Sequence, residues 1–207
     1  MYKVFFKRLL DLILSAIGFI LLFPVFALIW IVLLFVNKGK PFFLQPRPGK
    51  NEKIFNILKF KTMTDKKDEN GNLLPDELRV TRFGTFLRKS SLDEIPQLLS
   101  IVKGDMSLVG PRPLRVRYLP YYTKEEQIRH TVRPGVTGLA QISGRSNLDW
   151  DTRLRKDMEY VQNLSFWLDI KIIFKTALKV IARKDVALDA ESGIPDFDTY
   201  RKNMLSE

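Results

Sequence analysis

The chain has 207 residues, enough for one domain or one domain with an anchor, and a 45% hydrophobic content excludes a disordered or fibrous protein. A net charge of +11, from 34 Lys and Arg against 23 acidic residues, calls for an anionic partner: nucleic acid, acidic lipid or a phosphorylated substrate. With no cysteine and a single histidine, disulfides, thiolate catalysis and Cys- or His-rich metal sites are excluded, so any chemistry falls to carboxylates, lysines and arginines.

From Leu12 to Val36 the chain carries no charge. The run exceeds a signal-peptide core, and Asn37-Lys38-Gly39-Lys40 after it offers no cleavage pattern, so a retained membrane segment is expected. As a straight helix it would be roughly 37 Å long, enough for a hydrocarbon core of about 30 Å. Pro24 at its centre divides it into arms of roughly 18 Å, which suits a helix-break-helix dipping into one leaflet and returning. Lys3, Lys7 and Arg8 precede the run, and Lys38, Lys40, Arg47 and Lys50 follow it. The positive-inside tendency then puts both ends on the cytoplasmic side. Because spanning helices tolerate proline, the residues alone leave a single span open as well.

Phe42-Phe43-Leu44-Gln45 and Ile57-Leu58-Lys59-Phe60-Lys61 flank the turn formers Pro46 to Asn51, predicting a small β-hairpin. Lys59 and Lys61 share one strand face, either as solvated edge lysines or as part of a site. Asp65 to Asp76 reads as a surface loop, and Leu78 to Leu87 has helical character. In Ser90-Ser91-Leu92-Asp93-Glu94-Ile95-Pro96-Gln97-Leu98-Leu99, two readings of the acids compete. Ser91 and Glu94 could form a capping box at a helix start. Pro96 would then fall inside that helix and distort the turn carrying the acids. A distorted turn with paired carboxylates beside Arg88 and Lys89 fits a site that handles a metal and phosphates.

Lys103 to Pro113 reads as a rigid loop in which Pro111 and Pro113 fix the backbone around Arg112, presenting a guanidinium suited to bidentate phosphate contact. Arg133-Pro134-Gly135-Val136-Thr137-Gly138, continuing to Gly144-Arg145, is a second such loop. Neither has the spacing of a Walker or dinucleotide-binding motif. His130 is expected in a surface or structural role. From Phe166 to Ala182, Lys171, Lys175 and Lys179 recur among Phe166, Trp167, Ile172, Phe174 and Leu178. That pattern is a basic amphipathic helix, either lying in a membrane interface or facing a core. The polar tail after Arg183 carries five acids between Asp185 and Asp198, and its sequence suggests no function.

In Lys59-Phe60-Lys61-Thr62-Met63, Ser91 to Leu98, Lys103 to Pro113 and Arg133 to Gly138 the chain resembles the bacterial sugar transferase family, the small monotopic phosphoglycosyl transferases. The resemblance runs from about Phe5 to Ile181 with the motifs in order. It implies an α+β, mostly helical fold with three parts: a re-entrant membrane helix over 1–40, a cytosolic catalytic domain with a β-hairpin and interface-lying amphipathic helices over 41–183, and a polar tail over 184–207. It implies that Asp93 attacks the β-phosphate of a UDP-sugar, expels UMP and carries the phosphosugar to a polyprenyl phosphate, initiating glycoconjugate assembly. Glu94, with Asp93, would hold Mg²⁺. Lys59, Arg88, Arg112 and Arg145 are the candidate phosphate contacts, Arg112 foremost. The expected location is the cytoplasmic face of the bacterial inner membrane, with membrane lipids as partners, no nucleic acid, and homodimerisation open. Phe23-Pro24, Leu99-Ser100, Leu139 and Ser143 depart from residues frequent in the family, which weakens any inference about the sugar.

Three rivals remain at this stage. A membrane-anchored basic lipid-binding module would explain the charge but not the Asp-Glu dyad. A glycosyl transferase would release UDP instead of UMP. A multi-span transferase would need more than one apolar segment.

Overall fold

A computed structural model describes residues 1–144, 148–182 and 194–206. The fold is mostly helical α+β, with one long apolar N-terminal helix and two small sheets. Helix α1, Lys7–Val36, follows from an unbroken Leu/Ile/Phe/Val run and ends where Gly39 (φ 83°) donates to Leu34 O at 2.7 Å. The expected break at Pro24 does not appear: the proline lies inside one continuous helix. Proline removes a single backbone donor, and the Phe19, Phe23 and Phe26 rings pack across the position at 5.3–6.3 Å.

Helix α1 touches the rest of the chain along its length. At the start, Lys7 pairs with Asp169 at 2.8 Å and Arg8 donates to the carbonyls of Ile101 (2.6 Å) and Val102 (3.0 Å). Asp11 then accepts from the Leu108 N–H at 3.0 Å. Toward the end, Ile29 and Leu33 are buried with Phe60, Leu87 and Ile95. Most of its remaining surface is exposed and apolar, including Ile20, Leu21, Leu28 and Phe35.

Strands β1 (Phe42–Pro48) and β2 (Ile54–Phe60) form the expected antiparallel hairpin, with Phe42 opposite Phe60 and Pro48 opposite Ile54. The helical stretch expected next is two pieces, α2 (Asp76–Arg79) and α3 (Arg82–Lys89), separated at Val80-Thr81. Thr81 caps α3 by accepting from the Gly84 N–H at 2.8 Å. Helix α4 is Gln97–Lys103, and Gly104 (φ 103°) ends it. The two motif loops read from sequence as irregular contain strands β3 (Ser107–Val109) and β4 (Gly135–Thr137), which pair in parallel. Their backbones cross so closely that a Cβ on Gly110 would sit 2.4 Å from Arg133 O, and one on Gly135 2.1 Å from Gly110 N. Only glycine fits at this crossing.

Among the described residues, three further helices follow α5 (Leu139–Ser143): α6 (Trp150–Gln162), α7 (Phe166–Ile181) and α8 (Phe197–Ser206). Helix α6 buries Trp150, Leu154, Asp157, Tyr160 and Val161, one face at helical spacing, and Asp149 caps it. Helix α7 buries Ile172 and Asp169 but leaves Trp167, Ile170, Phe174 and Leu178 exposed beside Lys171 and Lys175. The stretch expected as a polar tail supplies α8, whose Phe197 is fully buried with Tyr118, Tyr122 and Trp150.

Candidate active site

The acidic pair sits on a strained turn. Ser91 takes the left-handed conformation (φ 56°) and makes no side-chain cap, so the expected capping box does not form. Leu92–Glu94 is a 3₁₀ turn, and Pro96 stands at the N-cap of α4. The helix that Pro96 could not continue through is therefore split, and the split sets Asp93 and Glu94 apart.

The two carboxylates have different surroundings. Glu94 Oε1 accepts from Lys59 Nζ at 2.7 Å and from Arg112 Nη2 at 3.1 Å. Asp93 is buried and, among the described residues, accepts no hydrogen bond; Lys59 Nζ lies 3.9 Å from its Oδ2. Burial pushes the Asp93 carboxyl up to about 6, with Lys59 opposing and the Glu94 charge reinforcing the rise. Burial works in the same sense on Glu94, but Lys59 and Arg112 outweigh it and hold that carboxyl below the usual range. Glu94 is hydrogen-bonded to both cations, whereas Asp93 meets Lys59 only at 3.9 Å.

Lys59 reaches this turn from β2, which favours the site reading over a solvated edge, whereas Lys61 pairs with Asp65. Arg112 arrives on the Pro-Arg-Pro loop that follows β3. Arg88, on α3, donates through Nε to Thr62 Oγ1 at 2.9 Å. The contact is allowed because Gly84 lets α3 approach closely: a Cβ there would lie 2.0 Å from Thr62 O. Arg145 lies outside the described residues. Pro24 belongs to α1 and takes no part in this site. A cavity of about 40 Å³ beside the dyad is lined by Arg47, Ile57, Lys59, Gln97, Arg112 and Pro113. Small-molecule pockets usually measure about 300–1,000 Å³, so this notch has room for a small group and not for a whole ligand of that size.

No motif or spacing pointed to the pair behind Arg112. Arg129 and Asp157 form a 2.8 Å ion pair with side chains only 2% and 3% exposed. Arg129 Nη2 also donates to the Arg112 carbonyl at 2.8 Å, and Nη1 donates to Tyr122 Oη at 3.3 Å. His130 is buried against Tyr122, a structural place in the core. Burial and the neighbouring Arg129 lower its pKa to about 3.

As a metal site, the dyad supplies two adjacent carboxylates, and no group of three His, Cys, Asp or Glu side chains suited to a metal occurs among the described residues. Two carboxylates do not make a protein-only cage. They do fit Mg²⁺, which commonly takes one or two carboxylates together with substrate phosphates.

The profile of the bacterial sugar transferase family matches residues 2–183. This chain belongs to that family. Among similar proteins, the uncharacterized sugar transferase EpsL of Bacillus subtilis is 49% identical over 181 residues, covering 87% of this chain and 89% of EpsL. The UDP-glucose:undecaprenyl-phosphate glucose-1-phosphate transferase of Klebsiella pneumoniae is 40% identical, over 86% of this chain and 41% of its own length. The undecaprenyl-phosphate galactose phosphotransferase of Salmonella typhimurium is 38% identical, over 88% and 42% respectively. The chain thus spans about two fifths of these two relatives and most of EpsL. As a bacterial sugar transferase it is an enzyme, and its family-wide part includes the dyad turn, both glycine-crossed loops and α1 through α7.

Proposed function

We propose that this bacterial sugar transferase moves a sugar phosphate from a UDP-sugar to undecaprenyl phosphate, releasing UMP and starting glycoconjugate assembly. The observation that carries the reading is the asymmetry of the dyad. A buried carboxylate without hydrogen-bond partners is poorly stabilised as an anion and therefore reactive toward phosphorus, and such carboxylates do form phosphoryl intermediates. Glu94, fixed by Lys59 and Arg112, holds those cations in place beside it.

In the first step an Asp93 carboxylate oxygen attacks the β-phosphorus of the UDP-sugar. The bond from that phosphorus to the bridging oxygen breaks, and UMP leaves with the electron pair. Lys59 and Arg112 lie where they can neutralise the diphosphate, Arg88 can approach from α3, and Arg145 follows the second loop in sequence. In the second step an oxygen of undecaprenyl phosphate attacks the same phosphorus and releases the Asp93 carboxylate. The product is an undecaprenyl diphosphate sugar. Asp93 and Glu94 would hold Mg²⁺ together with the diphosphate, where it would supply further neutralisation of phosphate charge.

The expected placement is monotopic, on the cytoplasmic face of the inner membrane. Contacts from both ends of α1 to one domain support a re-entrant helix over a span, the return being made by a bend of the continuous helix at Pro24, since a crossing helix would carry one end away from that domain. The exposed Trp167, Ile170, Phe174 and Leu178 stripe with its lysines suits a helix lying at the interface.

The test is to incubate the lipid-embedded protein with Mg²⁺, undecaprenyl phosphate and a panel of UDP-sugars, quantifying UMP and UDP separately. Lipid-dependent UMP release that Asp93→Asn abolishes is the expected result and names the sugar. Release of UDP, or UMP release undiminished by Asp93→Asn, would overturn the proposed reaction or its nucleophile respectively.

A further inference from the structure

The family profile ends at residue 183, yet the segment from Ile194 to Ser206 is tied into the domain beside the Arg112 loop. Phe197 is fully buried, with ring centroids 5.6 Å from Tyr118, 5.2 Å from Tyr122 and 5.1 Å from Trp150. Trp150 Nε1 donates to Pro195 O at 2.8 Å. Asp196 Oδ1 accepts from Tyr118 Oη at 2.6 Å, and its Oδ2 accepts from Arg115 Nη1 at 3.0 Å and from Arg117. Farther along, Arg201 pairs with Glu126, and Tyr200 Oη donates to Asp151 at 2.6 Å.

Two routes run from these contacts to Arg112. One is the chain itself, because Arg115, Arg117 and Tyr118 follow Arg112 directly and Asp196 gathers all three. The other passes through space. Tyr122 packs on Phe197, and its hydroxyl accepts from the Arg129 guanidinium that also donates to the Arg112 carbonyl at 2.8 Å. An aromatic cluster and a buried ion pair thus stand between α8 and the backbone of the residue that contacts Glu94.

We propose that α8, which begins at Phe197, and Asp196 just before it are a positioning element for the transferase site, holding the Arg112 loop in register with Glu94. The inference rests on reading Arg112 as a phosphate contact. Asp196 and Phe197 touch no substrate; they act through Tyr118, Tyr122 and Arg129. The consequence is on nucleotide-sugar binding, which requires the guanidinium already aligned.

The full chain in lipid nanodiscs is assayed for UMP release as wild type, Phe197→Ala, Phe197→Leu, Arg112→Lys and the Phe197→Ala/Arg112→Lys double variant, with thermal unfolding of each. Phe197→Ala is expected to raise KM for the UDP-sugar about fivefold, Phe197→Leu, which keeps a large apolar side chain in the cluster, less than about twofold, and Phe197→Ala to add little once Arg112 is lysine, because coupled residues are non-additive. Multiplicative effects in the double variant would overturn the proposal. So would a fall in kcat alone that tracks a loss of folded protein, the mark of a merely structural helix. Asp93→Asn runs in parallel. UMP release surviving that change removes Asp93 as nucleophile and release of UDP removes the transferase reading itself, whereas Asp93-dependent UMP release with independent Phe197 and Arg112 effects removes only the positioning role of α8.

Discussion

The Lys59 ammonium lies 2.7 Å from Glu94 Oε1, joining strand β2 to the turn before α4. The same nitrogen is 3.9 Å from Asp93 Oδ2, so one cation sets the charge state of both acids unequally. Glu94 stays ionised, and Asp93 is left as the group that titrates nearest neutrality.

A pH dependence follows. On the proposed mechanism Asp93 must be ionised to attack, and its carboxyl is pushed up to about 6, so kcat/KM should fall as pH drops through that value. Lys59→Met removes a cation that favours ionisation of both acids. The acidic limb should therefore move to higher pH, and activity near neutrality should fall about tenfold or more. Initial rates of UMP release across pH test this. An unmoved limb in Lys59→Met would mean that Lys59 does not govern Asp93.

The buried Arg129–Asp157 pair gives a stability prediction. Asp157→Leu strands a guanidinium in the core and should destabilise the protein by about 3–5 kcal/mol. Arg129→Met/Asp157→Leu removes both charges and should recover most of that loss, while UMP release stays low because the Arg112 carbonyl has lost its donor. Denaturant unfolding in nanodiscs, read beside activity, checks both. A double variant as unstable as the single one would show that the stranded charge is not the cause.

His130 makes stability fall in acid. Its folded-state pKa, about 3, is below the ordinary value of 6.5, so protonation favours the unfolded chain. No penalty applies above 6.5. Between 6.5 and about 3 this one group lowers stability with each step down in pH. His130→Phe should flatten the pH dependence of unfolding over that window. Equal slopes for variant and wild type would place the acid sensitivity elsewhere.

The topology can be read chemically because the chain has no cysteine to interfere. Cysteines introduced singly at Lys3 and at Gly39 should both react with an impermeant maleimide from the cytoplasmic side only. Labelling from opposite sides would make α1 a span and exclude the re-entrant placement.

How much of this was legible in the sequence depended on the range of the signal. The dyad turn was readable because Pro96 is incompatible with the helix that Ser91 would otherwise cap, a conflict within six residues. The hairpin and α1 were readable from local apolar patterning. Strands β3 and β4 were not, because three-residue strands show no alternation and their pairing depends on two glycines crossing, Gly110 and Gly135. Arg129 and Asp157 are 28 residues apart, and each looks like an ordinary surface charge until the fold buries both. Pro24 misled in the opposite direction: local chemistry predicted a break, and packing along α1 carried the helix through.

Helix α4 begins at Gln97, just past the dyad, and its end receives the Arg8 hydrogen bonds at the carbonyls of Ile101 and Val102. Seven residues of helix make a rod of roughly 10 Å, too short to bend appreciably. With α1 seated in the lipid as proposed, that rod works as a depth gauge: the nucleophile stands at one fixed height above the acyl chains. A lipid-linked acceptor then needs no lifting from its leaflet. Its search is confined to the plane of the membrane, and only the soluble nucleotide-sugar has to arrive from three dimensions.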